Sequence, residues 1–278
     1  MSIKITATST CDLPHELLER YQIDLVPLYV SFGGNTYRDG VDASPEDIFR
    51  HVEGGGDLPS TAAVNIADYQ ELFADLSPKY DSVLHITIGS EFSSCYQNAL
   101  VAAEDFPNVY VVDSKNLTTG QGILAVEAAV AAERGDPIQD IVAMLEEKIG
   151  KVDTTFVVDK LDYLAKGGRC SSVVALGANL LKLKPCIVLA DGKMTVGKKY
   201  RGAFEKVLPD YVREQLAGKN VGLDRVFVVH TRCDPAIPEA ICSLAREYGF
   251  REVVPAVAGC TISCHCGPNT LGFIFLRK

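Results

Sequence analysis

No apolar run in this 278-residue chain approaches the roughly 18 residues that a membrane-spanning helix requires. The best candidate, Gly122 to Ala132, is interrupted by Glu127. The first residues, Met1-Ser2-Ile3-Lys4-Ile5-Thr6, alternate as a strand does and hold no signal-peptide core. These absences point to a soluble, cytoplasmic protein with at most transient membrane contact. There is no Walker-type phosphate loop, which excludes nucleotide hydrolysis by that route, and no Gly-x-Ser-x-Gly elbow to carry a hydrolase nucleophile. Nine cysteines are present, but the paired Cys-x-x-Cys of structural zinc sites is not. Scattered through a long chain without a secretory leader, they read as reduced thiols, most of them buried as small hydrophobes.

Basic residues are scarce in the first half. Residues 1–150 hold 8 lysines and arginines against 24 acids, a net of −16, whereas residues 151–278 hold 19 against 12, a net of +7. The overall −9 argues against general nucleic-acid binding. Nine of the basic residues crowd into 160–201 (Lys160, Lys166, Arg169, Lys182, Lys184, Lys193, Lys198, Lys199 and Arg201), with only Asp162 and Asp191 to offset them. Two solvated surfaces of different composition would account for this. An anion or acidic partner beside a basic lobe would account for the crowding as well.

A hydrophobic fraction of 47% is that of a globular protein, and the length suggests two domains, 1–150 and 151–278. Strands and helices alternate in the first. Ile3–Ala7 reads as a strand, Pro14–Tyr21 as a helix and Asp24–Phe32 as a second extended stretch. Ser44, with Pro45 and Asp47, opens a helix through a near capping box, and Asn65 precedes an amphipathic run. Val83–Ile88 and Val109–Val112 are short strands, and 122–134 and 138–149 are helices. That order predicts a doubly wound parallel sheet. The second half begins with a strand at Thr155–Val158 and helical segments reaching Leu181. A hairpin about Asp191-Gly192 and further helices and strands complete a mixed-sheet α/β domain.

Several clusters carry candidate chemistry. His265-Cys266-Gly267-Pro268-Asn269 sets a titratable group at a turn before the apolar run Phe273–Leu276. Cys260, Cys264 and Cys266 invite a metal reading. In an extended strand they share one face, where even neighbours two apart sit about 7 Å from each other, too wide for one ion without a turn, and His265 takes the opposite face. Buried thiols fit better, with His265 facing a cleft. Ser90, Ser93 and Ser94 follow a strand and precede a helix, where open α/β folds bind ligands and helix amides suit an anion. Capping alone explains one serine, not three. Pro59-Ser60-Thr61 offers another hydroxyl in a turn. Gly120-Gln121-Gly122 matches a dinucleotide pattern only weakly, and close packing of a helix on a sheet explains it more simply. Arg169 and Arg201 each stand beside a glycine, where a guanidinium can grip a carboxylate or phosphate, although a surface loop would also place them there.

Taken in order, these pieces resemble the DegV family of bacterial fatty-acid-binding proteins. The resemblance spans Ser9-Thr10-Cys11-Asp12-Leu13-Pro14, Pro59-Ser60-Thr61, the run from Gly89 to Ala99, Asp113-Ser114-Lys115 with Gly120 and Gly122, Tyr163 to Arg169, Lys184-Pro185, Lys199 to Gly202 and His265 to Pro268. Thr8 stands where the family usually has an aspartate, and Ala62, Ala63 and Val64 replace a more polar run. The resemblance implies two α/β lobes enclosing an apolar lipid tunnel. It implies that Thr61 and Ser93 bond a long-chain fatty acid carboxylate, with Arg201 and His265 near the head group and Arg169 a contact for a partner. That partner is a dihydroxyacetone-kinase-like fatty acid kinase, which makes acyl phosphate for phospholipid synthesis. No cofactor or metal is then expected, and the chain is a carrier rather than an enzyme. An acyl hydrolase or transferase using His265 with Ser93 or Cys266 is the alternative.

Overall fold

A computed structural model of the chain describes residues 2–174 and 183–278. The end of the helical stretch expected to reach Leu181, and Lys182 with it, lie outside the described residues.

The first half builds a parallel sheet in the order β2 (Asp24–Val26), β1 (Ile3–Thr8), β6 (Ser82–Thr87), β7 (Val109–Asp113). The expected doubly wound pattern is therefore present. Its crossovers use α1 (His15–Arg20), α2 (Pro45–Glu53), α3 (Ile66–Leu76) and α4 (Cys95–Ala103). Local chemistry starts two of these where expected. Ser44 and Asp47 form a reciprocal capping box at α2, and the Asp68 amide donates to the Asn65 side chain at α3 over 3.0 Å.

The long extended stretch expected at Asp24–Phe32 is instead two strands. The second, β3 (Tyr29–Phe32), leaves the parallel sheet and joins β4 (Asn35–Arg38) and β5 (Ser60–Ala62) in a small antiparallel sheet. Gly33 and Gly34, at φ +58° and +80°, turn the β3–β4 hairpin in the left-handed region that two-residue hairpins demand. This small sheet matters because β5 carries Thr61, paired to Val30.

The second half forms a mixed sheet, β10 (Lys193–Arg201), β9 (Leu183–Ala190), β8 (Val152–Val158), β13 (Thr270–Arg277), β11 (Val221–Thr231), β12 (Glu252–Val257). Every neighbouring pair is antiparallel except β11 and β12, which α10 (Ala236–Tyr248) joins by a crossover. The β9–β10 hairpin turns at Asp191-Gly192, as expected. Alternation along the central strands buries both faces. Val157, Phe273 and Phe275 pack under α9 (Phe204–Leu216) and α10, while Phe156, Val158, Phe227 and Ile274 face the first half of the chain.

Between the two large sheets runs α5 (Thr119–Glu133), continued by α6 (Ile138–Ile149). α5 is apolar on every side and touches β1 and β6 on one flank, β8 and β13 on the other. Its glycines are there for close packing, not for a nucleotide. A Cβ on Gly122 would stand 2.6 Å from the Cys11 carbonyl oxygen and 2.8 Å from Leu13.

The segment 260–266 overturns the strand expectation. It is a short helix, α11 (Cys260–Cys266), packed on α7 (Asp162–Gly167), which in turn contacts α8 (Ser171–Val174). Two distant carboxylates fix its first turn. Asp12 accepts from the Gly259 amide at 2.8 Å, and Asp39 accepts from the Cys260 and Thr261 amides at 2.8 and 3.2 Å. Helical geometry then sorts the residues differently. Cys260 and Cys264 face Val30, Ile48 and Phe49, whereas Thr261, Ile262, His265 and Cys266 face a cavity. No metal-ligating cluster is present among the described residues, and all nine cysteines are free thiols.

Candidate ligand cavity

The cavity lies between the mixed sheet and the loops at the carboxyl ends of the parallel strands, where open α/β sheets place ligands. It has two adjacent chambers. The outer one encloses about 570 Å³, its open mouth included, and collects Thr61 from β5, Ser93 from the loop before α4, Arg169 from the turn after α7, and Thr261 and His265 from α11. Leu28, Ile88 and Phe92 fill the gaps between them. The inner chamber lies between Val229, Ala258, Gly272 and Ile274. Leu117, Phe156, Ile262 and Cys266 line both chambers and so lie between them. Beyond the mouth, Glu91, Phe92, Arg169, Lys193 and Met194 border an open cleft.

His265 occupies the centre of the polar end. Its Nε2 lies 2.9 Å from Thr61 Oγ1, while Nδ1 has no partner among the described residues and stands against Gly167, where any Cβ would collide with it. A buried N–H without an acceptor is rarer and more costly than a bare nitrogen, so the pattern of hydrogen bonds assigns the proton to Nε2. Nε2–H donates to Thr61 Oγ1, and the Thr61 proton is left for another acceptor. Burial lowers the His265 pKa to about 4, helped by the charge of Arg169, so the ring is neutral at physiological pH.

This has a measurable consequence. The unfolded histidine takes up a proton near 6.5, and the folded one near 4. Stability from this group is therefore complete above 6.5 and is lost as the pH falls through 4. Buried His85, held by Thr6 at 2.8 Å and depressed to about 3 by burial, acts in the same direction. Urea midpoints should fall as the pH drops from about 7 to 4, and His265→Asn should flatten part of that decline.

Ser93 is held weakly. Its hydroxyl donates to Cys95 Sγ at 3.2 Å and accepts from the Cys95 amide at 3.3 Å. Thiol sulfur is a poor acceptor, so a better one can draw the hydroxyl away. Its two neighbours do not line the cavity. Ser90 donates to Asp113 at 2.6 Å, and Ser94 makes no capping bond. Of the three serines, only Ser93 lines the cavity.

Arg169 is exposed at the mouth, its guanidinium donating to the Gly167 carbonyl at 2.9 Å and the Phe92 carbonyl at 3.4 Å. Arg201 is not brought to this group. It is exposed at the end of β10, paired through the backbone with Leu183. Elsewhere in the basic segment, Lys184, Lys193 and Lys198 pair with Asp159, Glu91 and Glu214. Cys266 lines both chambers, but burial pushes its thiol up to about 12 and Asp12 adds to the shift. Sequence reasoning passed over Thr261 and the apolar lining. The Gly267-Pro268 pair after Cys266 is a helix-stop signal that points to α11 and hence to a shared Thr261–His265 face.

Two sheets with their helices meet over a cavity that is hydroxyl-lined at the mouth and apolar within, the kind of site that suits a ligand with one polar end. Residues 2–278 match the family described as "Uncharacterised protein, DegV family", and the chain belongs to that family. It is 32% identical over 284 residues to a DegV domain-containing protein of Caldanaerobacter subterraneus, covering 99% of each chain. It is 31% identical over 288 residues to a protein of Thermotoga maritima named a fatty acid-binding protein, covering 98% of this chain and 97% of that one. The structure of a DegV family protein from Thermus thermophilus, described by its fatty acid binding, superposes with a TM-score of 0.90 at 29% identity, covering both chains completely.

Proposed function

We propose that this protein binds a long-chain fatty acid, with the carboxylate in the outer chamber against Thr61 and Ser93 and the tail in the inner chamber. One observation carries the reading. The donors left open for a ligand gather at the mouth, and an apolar chamber lies directly behind them across Leu117, Phe156, Ile262 and Cys266. Burying a methylene is worth about 0.8 kcal/mol, so a chain of about 16 carbons gains on the order of 10 kcal/mol before ordering costs. Hydroxyls are then needed only to orient the head. Relatives named for fatty acid binding support the same assignment. In this reading the lobes 1–150 and 151–278 close together on the acyl chain. Organic extraction of the purified protein should release a stoichiometric long-chain acid, identified by mass spectrometry. If none is released, and none is taken up on incubation, the reading fails.

We further propose that a fatty acid kinase phosphorylates the presented carboxylate for phospholipid synthesis, as the family resemblance implies. Arg169 at the mouth and Arg201 on the exposed end of β10 are then available to the partner. Arg201→Ala should leave the dissociation constant for palmitate unchanged while lowering acyl phosphate formation with a dihydroxyacetone-kinase-like enzyme and ATP by about 10-fold, an interface hot-spot effect. An equal loss in both assays would assign Arg201 to ligand binding instead.

The geometry gives less support to an acyl hydrolase. His265 bonds Thr61 rather than Ser93, its Nδ1 meets no orienting carboxylate among the described residues, and the Cys266 thiol is held protonated by burial. Turnover of acyl esters lost on His265→Ala would reverse that preference.

A further inference from the structure

Five threonines line the two chambers, and their hydroxyls are used differently. In the inner chamber Thr118 donates to Asp12 at 2.6 Å, Thr270 to the Cys266 carbonyl at 3.0 Å, and Thr231 to the Gly267 carbonyl. Each is spent on the protein, so nothing there competes for a polar group. In the outer chamber Thr61 meets His265. Thr261 is the exception among the five. The residue is 4% exposed, and its Oγ1 is buried with no hydrogen-bond partner among the described residues.

A buried hydroxyl left without a partner destabilises the fold that holds it, and valine would fill the same space without that cost. Thr261 is also fixed in place. Its amide is held by Asp39 at 3.2 Å, and it stands one turn before His265 on the cavity face of α11. Rotation about its Cα–Cβ bond turns the hydroxyl relative to the chamber, and threonine in a helix populates two such rotamers.

We propose that Thr261 is a third head-group residue, donating its hydroxyl to a carboxylate oxygen of the bound acyl ligand beside Thr61 and Ser93. This rests on the fatty acid reading given above. A carboxylate offers about four lone-pair sites, and Thr61 and Ser93 fill two. His265 cannot supply another donor, because its one proton is already given to Thr61. The uncommitted hydroxyl on the same helix face supplies it.

The test is titration of the delipidated full-length protein with myristate, palmitate and stearate. Thr261→Val should raise each dissociation constant by about 10-fold, the size of one hydrogen bond to a charged group. The factor should be the same for all three acids, since a head-group contact does not depend on the tail. Thr261→Ser, which keeps the hydroxyl, should restore affinity to within about threefold of wild type. The ligand-free Val variant should melt no lower than wild type. Unchanged affinity in the Val variant overturns the proposal. So does a loss that grows with chain length, which would make Thr261 a wall of the tail channel. If the wild-type protein takes up none of the acids, the fatty acid reading and this proposal fall together.

Discussion

Thr61→Val is expected to raise the dissociation constant for palmitate by about 10- to 100-fold, the range for losing a hydrogen bond to a charged group. The expectation follows from the proton inventory at His265. Because Nε2–H donates to Thr61 Oγ1, the Thr61 proton is free for the carboxylate, and the imidazole strengthens that donor by polarising it. The substitution removes the donor and also strands the Nε2–H, a buried polar group left unpaired. The loss should therefore exceed that of Ser93→Ala, whose hydroxyl gives up only a weak bond to sulfur on binding. Isothermal titration of both variants decides the order. Equal losses would show that His265 does not act through Thr61.

Ala258→Leu is expected to cut palmitate affinity by about 30- to 200-fold while leaving decanoate within about threefold. Ala258 is fully buried and lines the inner chamber, so three added carbons occupy space otherwise open to the tail. Displacing three or four methylenes forfeits about 2–3 kcal/mol. A ten-carbon acid, held mainly in the outer chamber, loses little. Circular dichroism would separate this from a general loss of packing, since overfilled cores cost about 1–3 kcal/mol of stability. Equal loss for both acids would mean that the inner chamber does not hold the tail.

Much of the fold was legible because its signals are local. Alternation marked the short strands, Ser44 with Asp47 and Asn65 marked helix starts, and Asp191-Gly192 marked the hairpin. The small antiparallel sheet was missed, although Gly33-Gly34 between extended residues announces its turn. Its strands are too short, and β4 too exposed, for periodicity to register.

The segment 260–266 shows why the rest was not legible. Three thiols and alternating small residues fit a strand as well as a helix. What makes it a helix is the pair of carboxylates, Asp12 and Asp39, brought to its first turn from the opposite end of the chain. Local pattern carries no information about such partners.

The sequence by itself determined the two sheets, the acidic and basic halves, and the ordered hydroxyl, arginine and histidine motifs of the DegV family. Periodicity, capping and composition are properties of neighbours in the chain. Tertiary structure alone decided which of those residues meet. It turned α11 so that His265 and Thr261 face Thr61, left Arg201 apart from them, and spent the inner hydroxyls on protein carbonyls and Asp12. Most of these contacts are distant in the chain, Thr61 and His265 lying 204 positions apart and Thr118 and Asp12 106 apart, and they are set by how α5 and the two sheets pack, which no local window of the chain encodes.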